Sequence, residues 1–194
     1  MQSKVNNNPQ TWQDMKKTIF TLVLMTVAFL CLHAQRSEAF TSVPVTNGKV
    51  VFERFTHTGT ALTVDQKYAR WVAWGQGKYV GSPTLSGIRF DDNARTMTVS
   101  LRTPLTLSGG ETITMIHRFD VSVSNVGSML TIRDITYQST NGNSIFPTIY
   151  TAEETITDTA IAINDENSAR RNQIRTATLV FFNELSAEVD ALFR

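Results

Sequence analysis

The alternation that decides the fold lies in residues 96–123, TMTVSLRTPLTLSGGETITMIHRFDVSV. Its first half alternates apolar and polar residues, as expected of a β-strand with one buried and one solvated face. The buried set is Met97, Val99, Leu101, Leu105 and Leu107, and the solvated set is Thr96, Thr98, Ser100, Arg102 and Thr106. Ser108-Gly109-Gly110 then turns the chain, and the second half repeats the pattern. Its buried set is Ile113, Met115, Phe119, Val121 and Val123, and its solvated set is Thr112, Thr114, Arg118, Asp120 and Ser122.

Further strands flank this pair. They are predicted at residues 49–55, 88–91 and 129–138. The turn pair Asn47-Gly48 introduces the first of them. In the last one the buried parity changes between Ile132 and Ile135, which predicts a β-bulge near Asp134.

Two helices complete the pattern. Thr63 and Gln66 form a capping box, and the helix they begin carries one apolar stripe and ends at Gly75 and Gly77. That stripe is Val64, Tyr68, Trp71, Val72 and Gly75. The C-terminal helix has a broader stripe, which is Ile174, Ala177, Phe181, Phe182, Leu185, Val189, Leu192 and Phe193. Residues 144–163 show no clear periodicity. The sequence therefore predicts an α+β domain with a single antiparallel sheet of about four to five strands and two helices on one face.

The N-terminus has the order of a secretory signal. Lys16-Lys17 is followed by an uncharged run to Leu32 and by a small residue at Ala34. That run is short for a membrane span, so we expect a signal peptide at 15–34. Cleavage is expected between Ala34 and Gln35, and cleavage after Ala39 is the alternative. Residues 1–14 are interpreted as an unused upstream extension, 35–42 as a short mature N-terminus, and 43–194 as the domain. The expected location is the periplasm, the cell surface or the exterior.

The mature chain is close to neutral. The whole sequence carries 18 Lys and Arg against 17 Asp and Glu. The segment 1–34 holds three Lys and one Asp, so the chain after residue 34 has a net charge of −1. A nucleic-acid-binding protein usually carries a basic excess, so nucleic acid is not an expected partner.

The lone cysteine, Cys31, leaves with the leader. The mature chain then offers neither disulfides nor thiolate metal sites.

Three short motifs resemble a known domain family. They are VPVTNGKVVF at 43–52, Arg70-Trp71 and Gly87-Ile88, and the resemblance spans roughly residues 43–138. The family is an uncharacterised one with a TBP-like fold, found in exported proteins of Bacteroidetes-type bacteria. The resemblance implies that fold. It implies no activity, because TBP-like describes a shape and DNA binding does not follow from a shape.

The sequence carries no recognised catalytic motif. His117 falls on the buried parity of its strand and is interpreted as structural. His57 lies in a polar stretch near Glu53 and could serve a hydrolase together with nearby carboxylates. The carboxylate pairs are Asp91-Asp92 at a turn, Glu153-Glu154 at a short helix, and Asp165-Glu166 at the start of the C-terminal helix. No catalytic, metal-binding or cofactor-binding residue is assigned, and no cofactor is expected.

The solvated face of the sheet is the candidate binding surface. Its candidate contacts are Ser100, Arg102, Thr114 and Arg118, and a solvated face without a partner is the alternative interpretation of the same residues. Trp74 falls near the edge of the first helix's apolar stripe, where core or edge packing is one interpretation. As an exposed residue it is a further candidate contact, because an indole could stack on a sugar or a protein. We therefore expect an exported, non-catalytic domain of the cell envelope that binds a protein or a glycan, or serves a structural role. The alternatives are a hydrolase around His57, self-association through the broad stripe of the C-terminal helix, and, last, nucleic-acid binding.

Overall fold

The computed structural model describes residues 39–58, 61–139 and 147–193. The signal peptide expected at 15–34, the cleavage site at Ala34-Gln35 and the extension at 1–14 lie outside these residues and stay predictions. Packing begins before position 43. The backbone N–H of Phe40 donates to Asn183 Oδ1 at 2.8 Å, and its ring centroid lies 5.0 Å from that of Phe52.

A small hairpin precedes the main sheet. Strands β1 (Val45–Thr46) and β2 (Lys49–Val50) pair antiparallel. The turn residues Asn47 and Gly48 both have positive φ, 51° and 74°, which is the signature of a type I′ turn. The predicted Asn-Gly turn is therefore confirmed. The strand predicted at 49–55 is divided, because the chain leaves the hairpin after Val50 and enters the main sheet as β3 (Phe52–His57).

The main sheet has six antiparallel strands. Its remaining members are β4 (Leu85–Asp91), β5 (Thr96–Thr106), β6 (Thr112–Val123), β7 (Gly127–Ser139) and β8 (Thr148–Thr151). Strands β3 to β7 stand in the order β3-β7-β6-β5-β4. β3 pairs with residues 127–132 of β7 and β8 pairs with residues 136–139, so β3 and β8 follow one another along the same edge of β7. The expected size of four to five strands is wrong, because β8 lies in the stretch without clear periodicity.

The bulge predicted near Asp134 is confirmed. In β7 two residues, Asp134 and Ile135, lie opposite the single residue His117 of β6. Asp134 has a φ of 56°, in the left-handed region that Asp tolerates better than most residues. Because of the extra residue, Arg133 and Asp134 are both exposed while Ile135 returns to the core.

The first described helix, α1 (Val64–Tyr79), begins at the predicted capping box. Thr63 Oγ1 accepts the backbone N–H of Gln66 at 3.2 Å, and Gln66 Oε1 accepts the backbone N–H of Thr63 at 2.9 Å. Each end of the box satisfies a backbone donor that helix geometry leaves without a partner.

The glycines of α1 do not end the helix, which corrects the prediction. The helix passes through Gly75 and Gly77 and continues to Tyr79. A Cβ atom at Gly75 would lie 2.6 Å from Met97 Sδ, so α1 approaches β5 closely here and a larger residue would have to displace the Met97 side chain. Gly81, with a φ of 85°, follows the actual end of the helix.

Three more helices follow β8. They are α2 (Ala152–Thr155), α3 (Asp158–Ala162) and α4 (Ser168–Ala191). A capping box between Thr151 and Glu154 begins α2, which confirms the short helix predicted there. Asp165 and Glu166 precede α4 and do not lie in its first turn, so their predicted place is wrong. Asp165 instead forms an ion pair with Arg171, with the nearest atoms 2.8 Å apart.

The apolar side of α4 is rotated slightly from the predicted stripe. Its buried residues are Ile174, Thr178, Phe182, Leu185, Ser186 and Val189. Ala177 and Phe181 are only half-buried. Thr178 tolerates complete burial because its hydroxyl donates to the carbonyl of Ile174 at 2.8 Å and lies 2.9 Å from Tyr137 Oη.

Helices α1 and α4 pack on the same face of the sheet, as predicted. Trp71 of α1 is fully buried, and the ring of Phe182 of α4 lies 5.5 Å from that of His117 of β6. The buried parity predicted for β5 and β6 is confirmed, since Met97, Val99, Leu101, Ile113, Met115, Phe119 and Val121 are at most 2% exposed. None of the described helices is long and apolar enough to span a bilayer.

Candidate functional site

The register places one set of side chains on the side of the sheet opposite α1 and α4. We call this set the open face. Its members are Glu53, Phe55 and His57 of β3; Met129, Thr131, Arg133, Asp134, Thr136 and Gln138 of β7; Ile149 and Thr151 of β8; Thr112, Thr114, Ile116, Arg118, Asp120 and Ser122 of β6; Thr96, Thr98, Ser100, Arg102, Pro104 and Thr106 of β5; and Gly87, Arg89 and Asp91 of β4. Most of them are hydroxyl-bearing or charged.

A network of charged groups crosses the centre of the open face. Asp120 Oδ1 accepts the hydroxyl of Thr98 at 2.7 Å, and Asp120 Oδ2 accepts Nε of Arg133 at 2.7 Å. Arg118 lies between two carboxylates, with Nε 3.6 Å from Asp120 Oδ2 and NH2 3.3 Å from Asp134 Oδ2. Partial burial opposes ionisation of Asp120, but the hydrogen bonds from Thr98 and Arg133 outweigh it and hold the pKa of Asp120 below its ordinary value.

The four strand residues singled out in the sequence lie together. Arg118 is the cross-strand partner of Ser100, and Arg102 is the partner of Ile116, one pair further along the same two strands. Thr114 follows, paired with Pro104. NH2 of Arg102 also donates to Gln138 Oε1 at 2.6 Å, across β6. The structure therefore brings Ser100, Arg102, Thr114 and Arg118 onto one surface, as the alternation predicts.

Trp74 lies elsewhere. It belongs to α1, on the other side of the sheet, and its ring packs edge-on against Trp71 and Tyr79, both with centroids 5.4 Å away. Phe119 lies 6.1 Å away, and Nζ of Lys78 lies 5.6 Å from the indole centroid. Trp74 is half-buried in this cluster, so it is not part of the open face.

The open face also has two aromatic residues on β3: Phe55, which was not singled out from the sequence, and His57, which was interpreted as part of a polar stretch that could serve a hydrolase. Phe55 and His57 both point outward from β3, and their rings meet edge-to-face with centroids 4.7 Å apart and an interplanar angle of 82°. Phe55 is half-buried because its ring lies over Gly127 of β7, where a Cβ atom would be 2.8 Å from Cζ. The period-two spacing of Glu53, Phe55 and His57 is the sequence signal that predicts these three side chains on one face of a strand.

The histidines and carboxylates do not converge. His117 is 1% exposed, and burial lowers its pKa to about 4. It lies beneath α4, whereas His57 lies on the open face. Among the described residues no three His, Cys, Asp or Glu side chains are grouped so that they could hold a metal ion.

The acidic pairs have structural partners. Oδ1 of Asp91 accepts the backbone N–H groups of Asn93 and Ala94 in the β4–β5 turn. Oε1 of Glu153 accepts the N–H of Val50 at 3.0 Å. These contacts explain the acidic residues without a reaction.

The bulge opens a cleft at the edge of the open face. It has a volume of about 450 Å³ and lies in the gap that β3 and β8 leave along β7. Lys49, Arg133, Asp134, Thr151 and Glu153 supply its polar groups. Opposite charges therefore lie in close succession here, as they do in the network around Asp120.

The comparisons with known proteins agree with this architecture. No protein-family model and no curated protein sequence matches the chain. A TBP-like protein from Parabacteroides distasonis superposes with a TM-score of 0.68 at 21% identity, over 77% of this chain and 96% of that one. A DUF4468 family protein from Bacteroides ovatus superposes with a TM-score of 0.66 at 19% identity, over 80% of this chain and 92% of that one. The chain therefore has the TBP-like fold that its resemblance to the uncharacterised bacterial family implied.

Proposed function

We propose that the protein is an exported, non-catalytic binding module of the cell envelope, and that the open face contacts its protein or glycan partner. Export is supported by the order of charge, apolar run and small residue at 15–34. A binding role is supported by the hydroxyl-bearing and charged side chains that the register gathers on the open face.

The observation that carries the proposal is the charge network on the open face. Asp120 is held by three groups from three different strands, and Arg118 is placed between two carboxylates. Side chains fixed in this way lose little rotamer freedom when a partner binds, which lowers the entropic cost of association. A solvated face without a function needs no such order, because isolated surface ion pairs contribute little to stability.

The experiment is an in-cell crosslinking pull-down of the tagged protein from the cells that produce it. The eluate is examined for crosslinked proteins and for bound sugars, and the recovered chain is weighed by intact-mass spectrometry. We expect a mass that begins near Gln35 and one stoichiometric partner, whose recovery falls in Arg102→Ala and Arg118→Ala. Arg70→Ala is the matched control, because Arg70 is an exposed arginine of α1 on the other side of the sheet.

Two results would contradict the proposal. Equal recovery of the partner by all three variants would exclude the open face as the binding surface. A full-length mass that starts at Met1 would exclude processing of the leader and remove the argument for export.

A further inference from the structure

The open face has an aromatic corner. Phe55 and His57 lie at the β3 end of the face, and Met129, the cross-strand neighbour of Phe55, lies beside them. His57 is exposed and Phe55 is half-buried. The other aromatic side chains of the described strands, such as Phe90, Phe119 and Tyr137, lie on the helix side, so Phe55 and His57 give this corner an aromatic character that the rest of the open face lacks.

One polar row leads from this corner across five strands. Cross-strand pairing aligns Glu53, Thr131, Asp120, Thr98 and Arg89 in a single line. Adjacent strands are about 4.8 Å apart, so the row is about 19 Å long. It offers hydroxyl, carboxylate and guanidinium groups, and hence both acceptors and donors, beside an aromatic ring.

The open face carries no net charge. Its charged residues are four arginines, at 89, 102, 118 and 133, and four carboxylates, at 53, 91, 120 and 134. A polyanion or a polycation gains nothing from such a surface. Outside the aromatic corner the apolar side chains of the face are Pro104, Ile116 and the exposed Ile149, which lie among polar neighbours, whereas the buried centre of a protein interface is usually apolar.

An uncharged sugar fits these three features together. A pyranose ring presents C–H groups on its face, which pack on an aromatic ring, and hydroxyls around its rim, which both donate and accept hydrogen bonds. We propose that the open face binds an uncharged glycan, with the ring of Phe55 as the stacking surface, His57 at its edge, and Glu53 and Thr131 as the first hydrogen-bonding groups. This inference rests on the proposed function and names its ligand class.

The test uses purified protein and four uncharged probes, namely cellohexaose, chitohexaose, maltohexaose and xylohexaose. Each is titrated to millimolar concentration, and binding is followed by backbone amide shifts and by calorimetry. We expect one probe to bind and to shift amides of β3, β6 and β7 around Phe55. Phe55→Leu still covers Gly127 but removes the aromatic face, so it should weaken binding by about tenfold or more, a change well above calorimetric error.

Phe181→Leu is the matched control, because Phe181 is also half-buried but belongs to α4 on the other side of the sheet. Thermal unfolding of both variants establishes that they are folded, and the shift map of the unchanged protein is independent of either one. No binding by any probe would overturn the inference, and so would binding that Phe55→Leu leaves unchanged. If the pull-down yields a protein whose recovery depends on Arg102 and Arg118 while no sugar binds, the glycan inference fails and the proposed function stands.

Discussion

Acid should destabilise this protein in a pH range set by one buried histidine. His117 is 1% exposed, and the rings of Phe181 and Phe182 meet its imidazole edge-on with centroids 5.6 and 5.5 Å away. Burial disfavours the charged imidazolium and lowers the pKa of His117 from an ordinary 6.5 to about 4. The unfolded chain, in which the imidazole is solvated, keeps the ordinary value.

The sign and size of the effect follow from this difference. Between pH 6.5 and about 4 the unfolded state binds a proton at His117 that the folded state does not, so stability falls as the pH falls. The full difference corresponds to about 3 kcal/mol of unfolding free energy. For a domain of this size that is a substantial part of the total stability, which is typically about 5–15 kcal/mol.

Carboxylates act in a lower pH range. The pKa values of Asp91, Glu111, Asp120 and Asp165 lie below their ordinary values of 3.8 and 4.5. Each of these carboxylates therefore contributes to the stability of the folded state above its ordinary pKa, and this contribution is lost only as the pH falls through its lowered pKa. The loss of stability between pH 6.5 and 4.5 is thus assigned to His117.

The assay is urea unfolding followed by tryptophan fluorescence at pH 7.5, 6.5, 5.5 and 4.5. Wild-type protein should lose stability steadily below pH 6.5, and His117→Leu should show a flat profile over the same range, whatever its absolute stability. His57→Ala is the control, because His57 is exposed and its removal should leave the wild-type slope unchanged. A His117→Leu profile as steep as the wild-type profile would refute the assignment.

Three further predictions concern stability and are checked by the same urea titrations at pH 7.5. Gly75→Ala should destabilise the protein by about 1–3 kcal/mol because the added methyl group overlaps Met97. Gly77 has open space around it, so Gly77→Ala should stabilise the protein by up to about 1 kcal/mol. Equal effects of the two variants would contradict the close approach of α1 to Met97. Thr63→Ala removes one half of the capping box of α1 and should cost about 1 kcal/mol, and no loss would mean that tertiary packing alone fixes the helix start. Asp190→Ala removes the carboxylate that Arg54 NH2 and the Thr56 hydroxyl of β3 each contact at 2.9 Å and should cost about 1–2 kcal/mol, and an unchanged stability would contradict a stabilising role for these hydrogen bonds.

The long strands and their bulge could be predicted because their signals are local. A pleated strand alternates its side chains whatever its partners are, so β5 and β6 display their buried parity in the sequence. The change of parity between Ile132 and Ile135 likewise predicts the bulge at Asp134 without knowledge of the pairing. Caps are equally local, and the box at Thr63 and Gln66 was found for that reason.

The short elements and the glycines depend on tertiary contacts. β8 has four residues and forms by pairing with β7, and neither its length nor its composition distinguishes it from a loop. Gly75 was interpreted as a helix stop because glycine weakens a helix by about 1 kcal/mol. In the structure Gly75 lies against Met97 of β5, and no helical pattern reports such a tertiary contact.

The sides of the sheet on which Trp74 and Phe55 lie could not be placed from the sequence, for a related reason. Trp74 and Phe55 each lie on an element with an apolar pattern, and the side of the sheet on which a residue falls depends on register. For Phe55 the register comes from the pairing of β3 with Met129 and its neighbours in β7, more than seventy residues away in the chain. Sequence parity within β3 separates Phe52 from Phe55, but it does not say which of the two is buried.

The bulge in β7 links the fold to the candidate site. Under strict alternation Asp134 would point into the core beside His117 and Ile135 would point into solvent. The extra residue reverses both, so that Ile135 is 4% exposed and the Asp134 carboxylate reaches Arg118 at 3.3 Å. It also places Arg133 next to Asp134 on the same face, where Arg133 completes the contacts of Asp120. The backbone of Asp134 is left-handed, a conformation that Asp and Asn tolerate better than most residues. One residue at the bulge therefore both accommodates this backbone and adds a second carboxylate beside Arg118.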